Sequence, residues 1–236
     1  EGVNQQDSQQ SWTRWIRAWT AEENRHGDLL NKYLYLSGRV NMRAMEVSTQ
    51  YLIADGFDIQ TGTDPYRNFV YTSFQELATN ITHRRTATLA KQCGNNLLSK
   101  MCGVIAADEM RHAKAYKAFV EHIFEIDPSE MMMAFEDMMR KKIVMPAQCL
   151  RELNEKINTF SNFSDAAQRL GVYTPMDYVN IMRELIEHWN IEGLRELKEN
   201  GERARDYVMA LPDRMARLAD RMKMPDKELQ FSWIIA

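Results

Sequence analysis

Two five-residue segments of this chain share one pattern: Glu22-Glu23-Asn24-Arg25-His26 and Asp108-Glu109-Met110-Arg111-His112. Each sets a Glu three residues before a His, inside a long stretch of helical periodicity. On a helix that spacing brings carboxylate and imidazole onto one face, one turn apart. In both copies an acid precedes the Glu and an Arg precedes the His. Both lie within apolar stripes: Ile16, Trp19, Glu23, His26, Leu30 and Tyr33 share one face, and Leu98, Cys102, Ile105, Glu109, His112, Tyr116 and Phe119 another. A single Glu-x-x-His is an ordinary exposed pair, contributing about 0.2–0.5 kcal/mol. Burying two copies costs far more, unless the charges are paired or bind metal. The chain is therefore constrained to long helices that face one another across a polar centre.

The rest of the sequence agrees with helices. Only 10 Gly and 6 Pro occur in 236 residues, beside 16 Met, which favours an all-α protein over a sheet sandwich. Ser11 reads as an N-cap, followed by helix to about Ser37-Gly38. A shorter helix runs from about Asn41 to Ala54. Asp64-Pro65 opens a third, reaching about Cys93-Gly94, and a fourth runs from about Asn95 to Glu125. Beyond Asp127-Pro128 the pattern gives further helices, with breaks expected near Pro146, Ser161 to Ser164, Gly171, Gly201 and Pro212. The expected organisation is one helical domain over 1–236, with metal-bearing helices about 11–125 and peripheral helices about 128–236.

Two facing Glu-x-x-His pairs, with a lone Glu from each of two further helices, form the ligand set of a ferritin-like di-iron carboxylate centre. The expected fold is accordingly a ferritin-like di-iron helical bundle with additional peripheral helices. Glu23, His26, Glu109 and His112 are the motif ligands. Glu76, amid Phe69, Thr72 and Thr79, is either the lone carboxylate of a partner helix or a surface acid. Thr79 lies one turn further on the same face, where its hydroxyl either serves oxygen bound at the metals or bonds back to a main-chain carbonyl. His83 is two turns from Glu76, about 10 Å along the axis and too far for the same metal. Asp108 suits a carboxylate that fixes a metal-bound His, with an exposed helix acid as the alternative. Glu22 and Asp108 are both expected to point away from the metals. One His per metal among carboxylates suits iron or manganese, whereas structural zinc prefers thiolates.

Other features read more plainly. Cys93, Cys102 and Cys149 show no paired spacing and are expected as small buried hydrophobes. Met131, Met132, Met133, Met138 and Met139 are expected to fill core gaps, and Trp12, Trp15 and Trp19 to pack. Arg140-Lys141-Lys142 reads as a solvated face, and His122 and His188 as ordinary histidines. A net charge of −3 argues against a nucleic-acid partner. No apolar run approaches the roughly 20 residues of a membrane span, so the chain reads as soluble with no membrane partner.

The run Trp19-Thr20-Ala21-Glu22-Glu23-Asn24-Arg25-His26-Gly27-Asp28-Leu29-Leu30-Asn31-Lys32-Tyr33-Leu34 resembles the plant-type acyl-(acyl carrier protein) desaturases. So do Tyr71-Thr72-Ser73-Phe74-Gln75-Glu76, Ile105-Ala106-Ala107-Asp108-Glu109, Phe124-Glu125-Ile126-Asp127-Pro128, Asp137-Met138-Met139-Arg140-Lys141-Lys142, Gln168-Arg169-Leu170-Gly171-Val172-Tyr173-Thr174 and Phe231-Ser232-Trp233-Ile234. The resemblance implies a homodimeric plastid enzyme of the chloroplast stroma. Such an enzyme places a cis double bond in a saturated acyl chain on acyl carrier protein, using O2 and electrons from ferredoxin. It also implies two Fe ions (Fe2+/Fe3+), with Glu23 and Glu109 bridging, His26 on one iron, and His112 and Glu76 on the other. Asp108 and Thr79 match the catalytic positions beside the metals, and Thr61, Asn68 and Phe69 match a substrate channel. Docking of an acidic carrier protein implies a local basic patch.

One departure stands out. The family has another terminal Glu upstream of the first motif, where this sequence offers only Glu1, Asp7 and Glu22 in no suitable inward position. The expectation is an N-terminally truncated chain, since degeneration would have eroded the costly buried ligands too. The alternatives are a non-catalytic or degenerate homologue lacking a complete di-iron site, or another ferritin-like di-iron oxidase.

Overall fold

A computed structural model describes residues 11–152, 158–223, 226, 228–229 and 231–235. Among these the chain forms eight α-helices: α1 (Ser11–Ser37), α2 (Met42–Asp55), α3 (Pro65–Gln92), α4 (Asn96–Ile126), α5 (Pro128–Lys141), α6 (Thr159–Arg169), α7 (Pro175–His188) and α8 (Glu199–Ala219). Short 3-10 turns lie at Pro146–Cys149 and Ile191–Gly193. The fold is an all-α bundle, and no described helix is long and apolar enough to cross a membrane. The polar stretch before Ser11, with Glu1 and Asp7, lies outside the described residues.

Local chemistry sets the helix that carries Glu76. Asp64 caps α3 by accepting from Tyr66 N (2.8 Å) and Arg67 N (3.3 Å), with Pro65 in the first turn where its missing N–H is harmless. At the other end Gly94 takes φ +76°, Gly94 N bonds Lys91 O and Asn95 N bonds Ala90 O. These two bonds satisfy carbonyls the helix end leaves free. Asn95 then caps α4 by accepting from Leu98 N at 3.1 Å. One short connector thus stops α3, reverses the chain and starts α4. The resulting hairpin is the most extensively packed helix pair among the described residues.

The apolar core lies on the side of this hairpin away from α1. Val70, Phe74, Leu77, Val120 and Phe124 meet Met131, Met132, Phe135 and Met138 of α5, Ile181 and Leu185 of α7, and Val208 of α8. Four of the five α5 methionines are buried, as gap-filling requires. α1 packs on α4 from the other side, through aromatic and polar side chains. α2 is tied peripherally: Val40 bridges Ile234, and Trp233 Nε1 donates to Ser48 Oγ at 3.0 Å.

Several expectations need correction. The break at Ser161 to Ser164 is absent, because Asn158 caps α6 by accepting from Ser161 N at 3.0 Å and the helix runs on to Arg169. Gly171, at φ +66°, supplies the actual stop. Gly201 is not a break but the contact point of α8 on α5, where an added Cβ would lie 3.2 Å from Ser129 Cα. Nor does Pro212 end α8, which continues through it with the ring buried. Of the three cysteines only Cys102 is buried; Cys93 caps the C-terminus of α3 and is exposed, and Cys149 is intermediate. All three are free.

Candidate metal centre

The inner faces of α1, α3 and α4 bring together Glu23, His26, Glu76, Glu109 and His112. One ligand atom each from Glu23, Glu76, Glu109 and His112 lies within 4.8 Å of all the others. His112 Nδ1 is 3.0 Å from Glu23 Oε1, 3.3 Å from Glu76 Oε2 and 3.9 Å from Glu109 Oε2. On the opposite flank His26 Nδ1 is 3.4 Å from Glu109 Oε1 and 3.8 Å from Glu23 Oε2. Glu23 and Glu109 therefore each turn one oxygen toward each imidazole. Glu76 is fully buried, contrary to a surface role, and Trp19 Nε1 donates to its Oε1 at 2.9 Å.

The outer ring nitrogens are held by the acids that precede each motif Glu, and the pairing crosses between helices. His26 Nε2 meets Asp108 Oδ2 at 3.1 Å, and His112 Nε2 meets Glu22 Oε2 at 2.8 Å. A carboxylate only accepts, so each Nε2 carries the proton and each Nδ1 faces inward. Arg25 donates to Asp108 (2.7 Å), and Arg111 to both Glu22 (2.9 Å) and Asp108 (2.8 Å). Asp108 thus sits on the outer nitrogen of His26. Glu22 was expected to point elsewhere; it points away from the cluster but holds His112. The repeated acid-Glu-x-Arg-His pattern was the available signal for that second pairing.

Burial and charge leave this cluster electrostatically frustrated. Burial favours neutral rings, yet the carboxylates around them win: Glu109, Glu23 and Asp108 lift His26 to about 10, and Glu109, Glu23, Glu76 and Glu22 lift His112 to about 12. Burial, with Glu109 beside it, pushes Glu76 up, whereas Glu109 is held well below the usual carboxylate range against burial by the two histidines. Even so, Glu23 Oε1, His26 Nδ1, Glu76 Oε2 and His112 Nδ1 are buried without hydrogen-bond partners. Four orphaned ligand atoms, three from the gathered group and one from His26 on the opposite flank of Glu23 and Glu109, are what a metal site requires and what a core avoids. The donor set, carboxylate-rich with two imidazoles, fits a pair of hard or borderline cations such as iron.

The remaining sequence candidates are placed as follows. Thr79 Oγ1 bonds back to Gln75 O (3.0 Å) and Glu76 O (3.1 Å), while its hydroxyl also faces Glu109. His83 is not among the gathered residues. Thr61 is buried and accepts from Asn68 Nδ2 at 3.4 Å. Phe69 packs among Trp12, Tyr116 and Phe119, with ring centroids 5.5, 6.2 and 5.8 Å away. All three precede Glu76 on or beside the N-terminal half of α3. Trp19 is a site residue that the sequence reading assigned only to packing. His122 and His188 are exposed.

A family model for fatty acid desaturase matches residues 1–235. The stearoyl-(acyl-carrier-protein) 9-desaturase 1, chloroplastic, of Arabidopsis thaliana is 55% identical over 227 residues, covering 94% of this chain and 57% of that protein. Its counterpart from Spinacia oleracea is 52% identical, with 95% and 57% covered. A palmitoyl-(acyl-carrier-protein) 4-desaturase 3, chloroplastic, from Ophrys sphegodes is also 52% identical, with 95% and 57% covered. The chain thus spans 57% of the length of these curated relatives.

Proposed function

The chain belongs to the fatty acid desaturase family, and from that we propose that it serves an acyl-(acyl carrier protein) desaturase acting at a di-iron centre. The observation that carries this reading is the gathering of Glu23, Glu76, Glu109 and His112 within 4.8 Å of one another, with buried atoms of Glu23, Glu76, His112 and nearby His26 left without hydrogen-bond partners. On this reading Glu23 and Glu109, each of which turns one oxygen to each imidazole, would hold the irons together with the two histidines and Glu76. His26 Nδ1 would serve one side of the centre, and His112 Nδ1 with Glu76 the other. The carboxylates within 4 Å of His26 Nδ1 among the described residues are Glu23 and Glu109, so the His26 side draws fewer ligands from them.

Two irons so held would supply reduction of O2 and removal of hydrogen from an unactivated methylene group. The chain's own residues do the rest. Asp108 and Glu22 fix the imidazoles so that Nδ1 stays aimed inward. Thr79 presents its hydroxyl beside Glu109, where its Oγ1 can hold a proton. Thr61, Asn68 and Phe69 contribute a wall that keeps water from the acyl chain. The substrate is a saturated acyl chain on acyl carrier protein, the electrons come from ferredoxin, and the protein acts as a homodimer in the plastid stroma. The 9- and 4-desaturase names of similar relatives support the reaction class and leave double-bond position to the channel lining.

The test is metal content and near-ultraviolet absorption of the purified protein after anaerobic loading with Fe(II) and exposure to air. About two irons per chain with a ferric carboxylate absorption band is the expected result. No iron uptake would leave a helical homologue that kept the fold without the chemistry.

A further inference from the structure

The ligand set and the channel leave unexplained why α1 carries tryptophan at positions 12, 15 and 19. Residues at i, i+3 and i+7 share one helix face, and here that face runs from the metal centre to solvent. Trp19 Nε1 donates to Glu76 Oε1 at 2.9 Å. From Trp19 the ring of Tyr116 is 5.9 Å away, and Tyr116 is 5.8 Å from Trp15. Phe119 lies 5.7 Å from Trp15 and 5.7 Å from Trp12. Trp15 and Trp19 also stand 6.2 and 6.5 Å from His112. Trp12 is 45% exposed, while Trp15 and Trp19 are half-buried.

We propose that Trp19, Trp15 and Trp12 form an escape path that carries oxidising equivalents from the metal centre to the protein surface when no acyl chain is present to consume them. The proposal rests on the di-iron reading above. Indole and phenol both give up one electron far more readily than phenylalanine, so the tryptophans are the carriers with Tyr116 linking Trp19 to Trp15, and Phe119 fills the gap to Trp12. Electron transfer falls off exponentially with separation, and near-contact aromatic steps keep each gap short.

Each tryptophan sits in an environment suited to its place in the sequence of steps. The Glu76 carboxylate stabilises the positive charge left on Trp19 when its electron fills the oxidised centre. Trp15 Nε1 is buried beside the Tyr116 hydroxyl, away from water that would carry its N–H proton off, so the vacancy passes outward. Trp15 refills Trp19, and Trp12 refills Trp15. At the surface Trp12 loses its N–H proton to water. It regains one electron and one proton from a dissolved thiol, and two thiyl radicals so formed join as a disulfide. The net change is one electron from a thiol to the metal centre per passage, with no side chain of the site consumed.

The test uses the Fe(II)-loaded protein, with iron measured on the same sample, exposed to O2 without substrate. Peptide mass spectrometry then locates oxygen adducts on each tryptophan, with half-exposed Trp233 as the internal control for freely diffusing oxidants. In the wild type adducts should concentrate on Trp12 and disappear when thiol is added. Trp15→Phe should lower them at Trp12 several-fold, raise them at Trp19 and leave Trp233 unchanged. Trp12→Phe should move them to Trp15. An iron-loaded Trp15→Phe variant with wild-type adducts at Trp12 overturns the path alone. A protein that takes up no iron overturns both the path and the di-iron reading.

Discussion

Glu22 of α1 accepts from His112 of α4 across 2.8 Å, and Asp108 of α4 meets His26 of α1 at 3.1 Å. Each helix thereby orients the imidazole of the other. A metal-bound His whose outer nitrogen loses its carboxylate is less basic and free to turn, at a cost of about 10–100-fold in metal affinity. Glu22→Ala and Asp108→Ala should each weaken iron binding by that order, measured by competition with a chelator, while helical content stays at the wild-type level. Wild-type affinity in Glu22→Ala would remove its role as an orienting group.

Metal should also act on stability. Ligand atoms of Glu23, Glu76, Glu109 and His112 are gathered in the folded protein and disperse in the unfolded chain. A ligand at 100 times its dissociation constant then stabilises the fold by about 2.7 kcal/mol. Thermal melts with and without Fe(II), under anaerobic conditions, should show that upward shift. Glu109→Ala should abolish it, and an equal shift in that variant would place the metal elsewhere.

The pair Arg85–Asp177 predicts a separate acid sensitivity. Arg85 Nη1 and Nη2 donate to the two Asp177 oxygens at 2.6 and 2.7 Å, and Thr174 N and Oγ1 add two further bonds at 2.8 Å. Burial alone would push this carboxyl up, but the guanidinium and Thr174 hold it below the ordinary range. A carboxyl lowered in the folded state contributes stability that is present above its unfolded pKa and is lost as pH falls through the folded one. Because Arg85 is 37% exposed and screened, Asp177→Asn should cost about 2 kcal/mol at neutral pH. The difference from wild type should shrink as the pH drops below about 4, measured by urea denaturation over a pH series. A difference that held constant across that window would contradict the assignment.

Gly201 offers a packing test remote from the metals. Its would-be Cβ meets Ser129 Cα, Oγ and Cβ at 3.2 to 3.3 Å, and Ser129 Oγ accepts from Lys198 N at 2.9 Å. The neighbour that must yield is therefore partly backbone. Gly201→Val should destabilise the protein by about 2 kcal/mol through overpacking between α5 and α8, read from chemical denaturation, with iron content per folded chain unchanged.

Much of this was legible before folding. The Glu-x-x-His spacing, the 3.6-residue stripes, the Asp64-Pro65 start and the Gly94-Asn95 reversal are local. Each depends on contacts within a few residues, which the order of the chain itself supplies. The boundaries of α1 to α4 fell within a residue or two of those expected for the same reason. The misread breaks have a common cause as well. Ser161 to Ser164, Gly201 and Pro212 are poor helix residues by intrinsic preference, yet capping by Asn158, the close contact with Ser129 and burial of the Pro212 ring override that preference.

The pattern along the chain was enough to single out the Glu and His residues that the fold gathers, because carboxylate and imidazole one helical turn apart share a face in any helix. Only the tertiary structure decided that Glu22 serves His112 and Asp108 serves His26, that Trp19 holds Glu76, and that three tryptophans line up toward solvent. Those relations join residues 57 to 90 positions apart or depend on which side of α1 faces α4. Helix periodicity fixes a residue's angle about its own axis but carries no information about the neighbour it will meet; that is settled when burial of the apolar faces docks one helix against another.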